Sequence, residues 1–209
     1  MSRSLLGVIA AVVCLAAVIV LIVAIVMAVV RARRKPKAVQ APADPFRQAD
    51  DDADTVYGDP RKVAPGDLIE IRGRSYAVRG SLHFSEADWG WAEHLLDDAD
   101  GRKVWLSVEE DPDLEVVLWH EVPSATVQPG APTVDFDGRR YTREESGRAR
   151  YTGVGTTGLN PQGTVRYQDY SAPDGAKLSF EAYGDSDQWE VGRGEQLHRP
   201  ELRIYPRAG

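Results

Sequence analysis

From Leu5 to Val30 the chain runs for 26 residues without a charge and with almost nothing polar. A helix rises ~1.5 Å per residue, so this stretch would reach roughly 39 Å, against a hydrocarbon core of about 30 Å. It reads as a transmembrane helix that crosses with tilt. Its many valines and isoleucines are mediocre helix formers in water, but in lipid the backbone can bond only to itself, and the helix wins. A cleaved export signal would carry an apolar core of roughly 7–15 residues behind a basic amino end and before a small-residue cleavage site. Here the amino end offers only Arg3 and the far end is strongly basic, so the segment is expected to be retained. Val12-Val13-Cys14 lacks the small residue a lipoprotein signal needs before its cysteine.

Flanking charge sets the direction. Arg31, Arg33, Arg34, Lys35 and Lys37 oppose Arg3 and the terminal amine, and positive charge stays inside. The expectation is a single-pass cell-membrane protein: residues 1–37 form the anchor, residues 5–30 meet the lipid bilayer, and the carboxyl-terminal domain is cytoplasmic. The basic cluster can also hold anionic lipid, at ~1 kcal/mol per residue; a stop-transfer role explains it equally well.

The anchor distorts the overall charge. Of 25 basic residues six lie in residues 1–37, which hold no acid, leaving 19 against 32 acidic residues, a net of −13. So acidic a domain repels phosphate backbones, and nucleic acid is not an expected partner. The single cysteine, Cys14, lies in the apolar run. The remainder therefore has no disulfide, no thiolate metal site and no cysteine nucleophile.

Residues 38–58, rich in alanine, proline and aspartate, read as a flexible acidic linker. Asp50-Asp51-Asp52 is expected to be solvated, since adjacent carboxylates without rigid support make no coordination shell. From 59 to 206 the pattern becomes short β-branched and aromatic runs between glycine and proline turns, and no helical period appears. Strands are predicted over 68–71, 75–84, 89–96, 103–109 and 114–121, then over 133–136, 139–144, 149–154, 164–170, 177–183, 188–191 and 201–205. Two stretches, about 65–122 and 133–193, look alike. Gly73-Arg74-Ser75-Tyr76 matches Gly138-Arg139-Arg140-Tyr141, Asp100-Gly101 matches Asp174-Gly175, and each stretch closes on a tryptophan strand at Trp119 or Trp189. The expected fold is mainly β: a β-sandwich or barrel-like domain of two similar halves.

Several motifs have plain readings. Gly153-Val154-Gly155-Thr156-Thr157-Gly158 fits GxGxxG, but Leu159-Asn160-Pro161 follows and no helix can start there to receive a pyrophosphate. It reads as a mobile loop between strands. Asp97-Asp98-Ala99-Asp100-Gly101 reads as a hairpin turn and not a calcium loop. No cofactor or metal is expected. Trp89 and Trp91, two apart, share one face of a strand. With Trp105, Trp119 and His94 they form a candidate surface for a ligand or partner. An acid–base or metal-dependent hydrolase using His94 and His120 with Glu93 and Glu121 is the alternative, and a structural scaffold of a membrane complex a further one.

Pro65-Gly66-Asp67-Leu68-Ile69, the run from Gly73 through Tyr76 and Val78 to Gly80, Trp91-Ala92-Glu93-His94-Leu95-Leu96 and Val104 to Glu110 (VWLSVEE) resemble the bacterial DUF4178 family. The resemblance covers about residues 60–205 and is best in the first half. It implies a β-rich domain of unassigned activity in an envelope-stress or polyamine-linked setting, and carries over no catalytic residue. Arginine outnumbers lysine 20 to 5, a bias of GC-rich, actinobacterial-type genomes. The functional expectation is a membrane-tethered binding or interaction module with a membrane or cytosolic protein partner or a small ligand.

Overall fold

Strands form here where β-branched and aromatic residues alternate with polar ones, and turns form where the backbone enters the left-handed region. The computed structural model describes residues 49–123 and 125–207. The apolar segment, Arg31, Arg33, Arg34, Lys35, Lys37 and residues 38–48 of the linker lie outside them. Among the described residues no helix is long and apolar enough to cross a membrane.

One helix, α1 (Ala49–Tyr57), precedes eleven strands: β1 (Leu68–Ile71), β2 (Arg74–Ser85), β3 (Trp91–Asp98), β4 (Lys103–Glu110), β5 (Leu114–Glu121), β6 (Thr133–Phe136), β7 (Arg139–Gly155), β8 (Gln162–Ser171), β9 (Ala176–Tyr183), β10 (Glu190–Gln196) and β11 (Leu202–Tyr205). Helix α1 lies in the stretch read as linker. It has no apolar stripe, and Val56 is 70% exposed; distant ion pairs hold it instead, Asp54 meeting Arg61 at 3.1 Å and Arg199 at 2.7 Å. Strand β7 is also longer than predicted. Glu145-Ser146-Gly147 looked like a break, but the chain passes through it with one register shift between Arg143 and Glu145. Gly147 leaves room there for the Glu86 carboxylate and the Tyr167 hydroxyl, which would lie 2.5 Å and 2.8 Å from a Cβ at that position.

All neighbouring strands are antiparallel, in the order β11-β1-β2-β3-β4-β5-β10-β9-β8-β7-β6, and β2 also pairs with β7. That last pairing, from Gly80 opposite Gly155 to Ser85 opposite Arg150, closes an eight-stranded barrel of β2, β3, β4, β5, β10, β9, β8 and β7. Strands β1 and β11 continue the sheet from the first half of β2, and β6 from the first half of β7. The change of partner along β2 occurs at a bulge between Val78 and Gly80. Arg79 there accepts a hydrogen bond from the Thr156 amide at 2.9 Å. Gly80 permits it: a Cβ would lie 2.6 Å from the Thr156 carbonyl.

The turns follow their chemistry. Arg72-Gly73 and Asp137-Gly138 both take positive φ at two successive residues, the geometry of a two-residue hairpin. In the β3–β4 turn Asp98 accepts from the amides of Asp100 and Arg102 at 3.0 and 2.9 Å. That accounts for the aspartates before Gly101.

Apolar burial lies largely outside the barrel wall. Leu96, Leu106, Val108 and Leu118 pack with Ile69, Ile71, Leu202 and Ile204 of β1 and β11. Leu178, Phe180 and Val191 pack with Val134 of β6 and Tyr141 and Tyr170 of β7 and β8. Each such side chain contributes ~1.5–3 kcal/mol on burial. Alternate residues on the same strands point the other way, into the barrel, and there the chemistry changes.

Candidate functional site

The barrel encloses a cavity of about 710 Å³, bordered by side chains of β3, β4, β5, β10, β9 and β8. Period two decides which residues reach it: Trp91, Glu93 and Leu95 on β3, Trp105, Ser107 and Glu109 on β4, and Lys177, Ser179, Glu181 and Tyr183 on β9. At the β2–β7 seam the lumen is closed by Leu82, Phe84, Ala149, Tyr151 and Val165, against which Trp89, Trp91 and Trp105 pack.

Two aromatic groups shape the cavity. Trp91 stacks on Phe84 with ring centroids 4.6 Å apart and planes 6° from parallel. It meets Trp89 at 4.6 Å and the edge of Tyr167 at 5.3 Å. Across the lumen Trp105 is the cross-strand neighbour of Trp119. The Trp119 indole donates to the Ser107 hydroxyl at 2.8 Å and lies against Gly192 and Gly194 of β10. A Cβ on Gly194 would come within 2.5 Å of the indole ring, so any larger residue there must displace the ring.

The charge of the lumen is one-sided. Among the described residues eleven carboxylates border it against two lysines, Lys103 and Lys177, with no arginine or histidine. Lys177 is engaged, 2.8 Å from Glu115 and 3.8 Å from Glu144. Three other acids, Glu93, Asp169 and Glu181, form no salt bridge among the described residues; Glu93 is buried, and Asp169 and Glu181 are half-buried in the cavity wall. Glu93 accepts from the Trp91 indole at 3.0 Å and Glu181 from the Tyr183 hydroxyl at 2.8 Å. Glu93 and Glu181 reach each other from strands that do not adjoin. Burial, and then the charges of Glu181, Glu145 and Glu109, push the Asp169 carboxyl up to about 7. Burial raises Glu93 and Glu181 as well, each further lifted by a neighbouring carboxylate. Glu109, Glu145 and Glu190 are raised in the same direction, burial being the largest cause.

The predicted residues divide. Trp89, Trp91, Trp105 and Trp119 are half-buried and border the cavity. His94 does not: it points to the opposite face of β3, is 2% exposed and shares a 2.8 Å hydrogen bond between Nδ1 and the Ser81 hydroxyl. Burial, and then nearby His83, hold its pKa down near 4. His120 likewise faces away from its neighbours Trp119 and Glu121, which border the lumen. The histidine–carboxylate pairs of the hydrolase alternative are therefore on opposite faces of their strands. Among the described residues no three of His, Cys, Asp and Glu are arranged to hold a metal ion.

Sequence reasoning missed Asp169, Glu181, Glu109, Glu145 and Glu190. Their signal was an acid in step with the tryptophans, as in Trp105-Leu106-Ser107-Val108-Glu109. On an open sheet that parity reads as solvent. The glycine-rich loop after β7 was expected to be mobile. It is pinned at both ends, by the Thr156–Arg79 bond and by the Gly153 amide donating to the Pro161 carbonyl at 2.7 Å. Thr157 is buried, and with Gly158 and Leu159 it borders the cavity.

A family model described as "Domain of unknown function (DUF4178)" matches residues 64–199, about two thirds of the chain. The chain belongs to the DUF4178 family. The DUF4178 model spans β1 through β10 and so takes in the whole barrel. Similar relatives are the uncharacterized proteins Mb2628 of Mycobacterium bovis and Rv2597 of Mycobacterium tuberculosis. Each is 39% identical over 187 residues, covering 85% of this chain and 88% of the relative. No solved structure matches this DUF4178 chain.

Proposed function

We propose that this DUF4178 barrel is a small-molecule binding module that takes an organic cation into its lumen. The observation that carries the reading is the composition of the cavity: eleven carboxylates and four tryptophans against two lysines. A cation entering it meets uncompensated negative charge in a low-dielectric surround, where charge interactions are stronger than in water. Indole faces attract cations as well, by ~0.5–2 kcal/mol each. An anion meets repulsion throughout. A polyamine-linked setting, which the family resemblance implies, would supply ligands of this class.

We further read residues 5–30 as the anchor that holds the module at the cytoplasmic face of the membrane, on the strength of the charges at Arg31–Lys37. A carboxyl-terminal tag open to protease on intact cells would overturn that orientation. We also read β1–β5 and β6–β10 as copies of one unit. Both run as five-stranded meanders, with matching positive-φ turns at Arg72-Gly73 and Asp137-Gly138.

Binding is tested by tryptophan fluorescence of the full chain in detergent micelles, titrated with an alkylammonium, a neutral sugar and a dicarboxylate. The ammonium is expected to quench or shift the emission saturably, and Trp91→Ala to weaken its affinity at least several-fold. Equal binding of the dicarboxylate, or no response to any cation, would remove the proposal.

A further inference from the structure

Within the proposed cation site the groups differ in what they leave unsatisfied. Glu109 and Glu145 border the lumen near further acids, Glu115, Asp111, Glu86 and Glu144. Deeper in the protein, Glu93 of β3 and Glu181 of β9 touch, with Asp169 of β8 close by. Their neutral donors are one each: Trp91 for Glu93, Tyr183 for Glu181 and the Ser179 hydroxyl for Asp169. Six carboxylate oxygens have far more acceptor capacity than three donors fill. From the neighbouring strands further acids face this group: Glu190 of β10, Glu145 of β7 and Glu109 of β4. Among the described residues no arginine borders the lumen, and Lys177 is paired with Glu115 and Glu144.

We propose that Glu93, Glu181 and Asp169 form the subsite for a primary ammonium group, and that the ammonium enters in exchange for the proton Glu93 and Glu181 share. This rests on the cation-binding reading of the lumen and names the end of the ligand that goes deepest. Two carboxylates in contact within protein cannot both be ionised, so one proton stays between them while the site is empty. An –NH3+ group placed there carries its own charge and three N–H donors. It satisfies the oxygens the proton satisfied and lets both carboxylates ionise. The balance is one R–NH3+ in and one H+ out, with the charge of the lumen unchanged. A quaternary ammonium has the charge but no donor. A metal ion needs closer convergence, at ~2.0–2.6 Å, than these acids offer; an ammonium bonds at ~2.7–3.2 Å.

The direction of the pH effect follows. An alkylamine stays protonated throughout the range, since its pKa lies near that of lysine, ~10.4. The exchange therefore runs forward as protons become scarce. The pKa of Asp169, raised to about 7, sets the same window for the third carboxyl.

The test is calorimetry on the full chain in micelles with n-butylammonium and tetramethylammonium as probes, in two buffers of different ionisation enthalpy at pH 6.5. About one proton released per n-butylammonium bound, none per tetramethylammonium, and an affinity for the primary amine rising up to tenfold per unit between pH 5.5 and 7.5 are expected. Glu93→Gln and Glu181→Gln should each abolish proton release while weak cation binding persists. The wild-type buffer comparison needs no variant. Primary and quaternary ions binding alike without proton release would overturn the exchange and leave the cation-binding reading standing. Failure of both ions to bind would overturn both.

Discussion

On the outside of the barrel Asp98 lies 2.8 Å from Arg74 and 3.3 Å from Arg102, Asp135 lies 2.8 Å from Arg140, and Glu110 lies 2.8 Å from Arg61. Inside it, Glu93, Asp169 and Glu181 have one another and three neutral donors. The outer acids are held below the ordinary carboxylate range, with arginine hydrogen bonds among the causes. The inner ones are pushed above it, by burial first. A chain with 20 arginines did not lack counter-charges; none of the described ones lines the lumen. A fold selected for stability alone would not leave buried and half-buried carboxylates unpaired. Strained electrostatics of this kind accumulate where a site must interact with something else.

The sharpest way to break the contrast is to measure stability against pH. A carboxyl whose pKa is higher folded than unfolded contributes stability below its unfolded value and loses that contribution as pH rises through its folded value. For Asp169 the window runs from 3.8 to about 7. At ~1.4 kcal/mol per unit the loss is on the order of 4 kcal/mol before water in the lumen screens it. Urea unfolding of the ligand-free protein is expected to give a lower free energy at pH 8 than at pH 5. The Glu93→Gln/Glu181→Gln pair should flatten that slope. Buried His94, with its pKa lowered to about 4, adds stability only up to its unfolded value of 6.5, so a profile that rises from pH 6.5 to 8 would mean that the inner acids are compensated as well as the outer ones.

Much of the contrast was hidden in the sequence. Strand positions were legible because β4 alternates Val104, Leu106 and Val108 with Trp105 and Ser107, and turns because Asp-Gly and Arg-Gly pairs accept positive φ. The four tryptophans were legible as one group. Closure was not: it depends on β2 meeting β7 some seventy residues away, at a bulge and two glycines that carry no long-range signal. Without closure, Glu109 and Glu181 look solvent-facing and His94 looks like their equal. Once the sheet closes, the parity that should face water faces a lumen, and His94 goes to the apolar side with Leu96 and Leu106.

A second prediction acts on the lumen wall without touching charge. Gly194→Ala would place a Cβ 2.5 Å from the Trp119 ring. The indole must then move toward the cavity, straining its bond to Ser107. Overpacking of this kind costs ~1–3 kcal/mol. We expect a lower unfolding free energy, altered tryptophan emission and weaker ammonium binding. Unchanged emission would mean that Trp119 is not held as described.

The smallest effects should come from the outer acids, and they should differ among themselves. Asp135 and Arg140 are exposed by 66% and 72%. An ion pair so solvated gains little over water and is screened by salt. Asp135→Ala should leave the thermal midpoint within measurement error, at any ionic strength. Asp98 is different, with a side chain only 4% exposed. It accepts from two backbone amides of its hairpin as well as from Arg74, so Asp98→Ala removes three hydrogen bonds that fix the turn. That midpoint should fall, and added salt should not close the gap, because the lost contacts are short hydrogen bonds and not long-range attraction. If Asp135→Ala proved the more damaging, outer carboxylates would be acting through net charge instead of through their partners. The opposition between paired outer and unpaired inner acids would then lose its outer half.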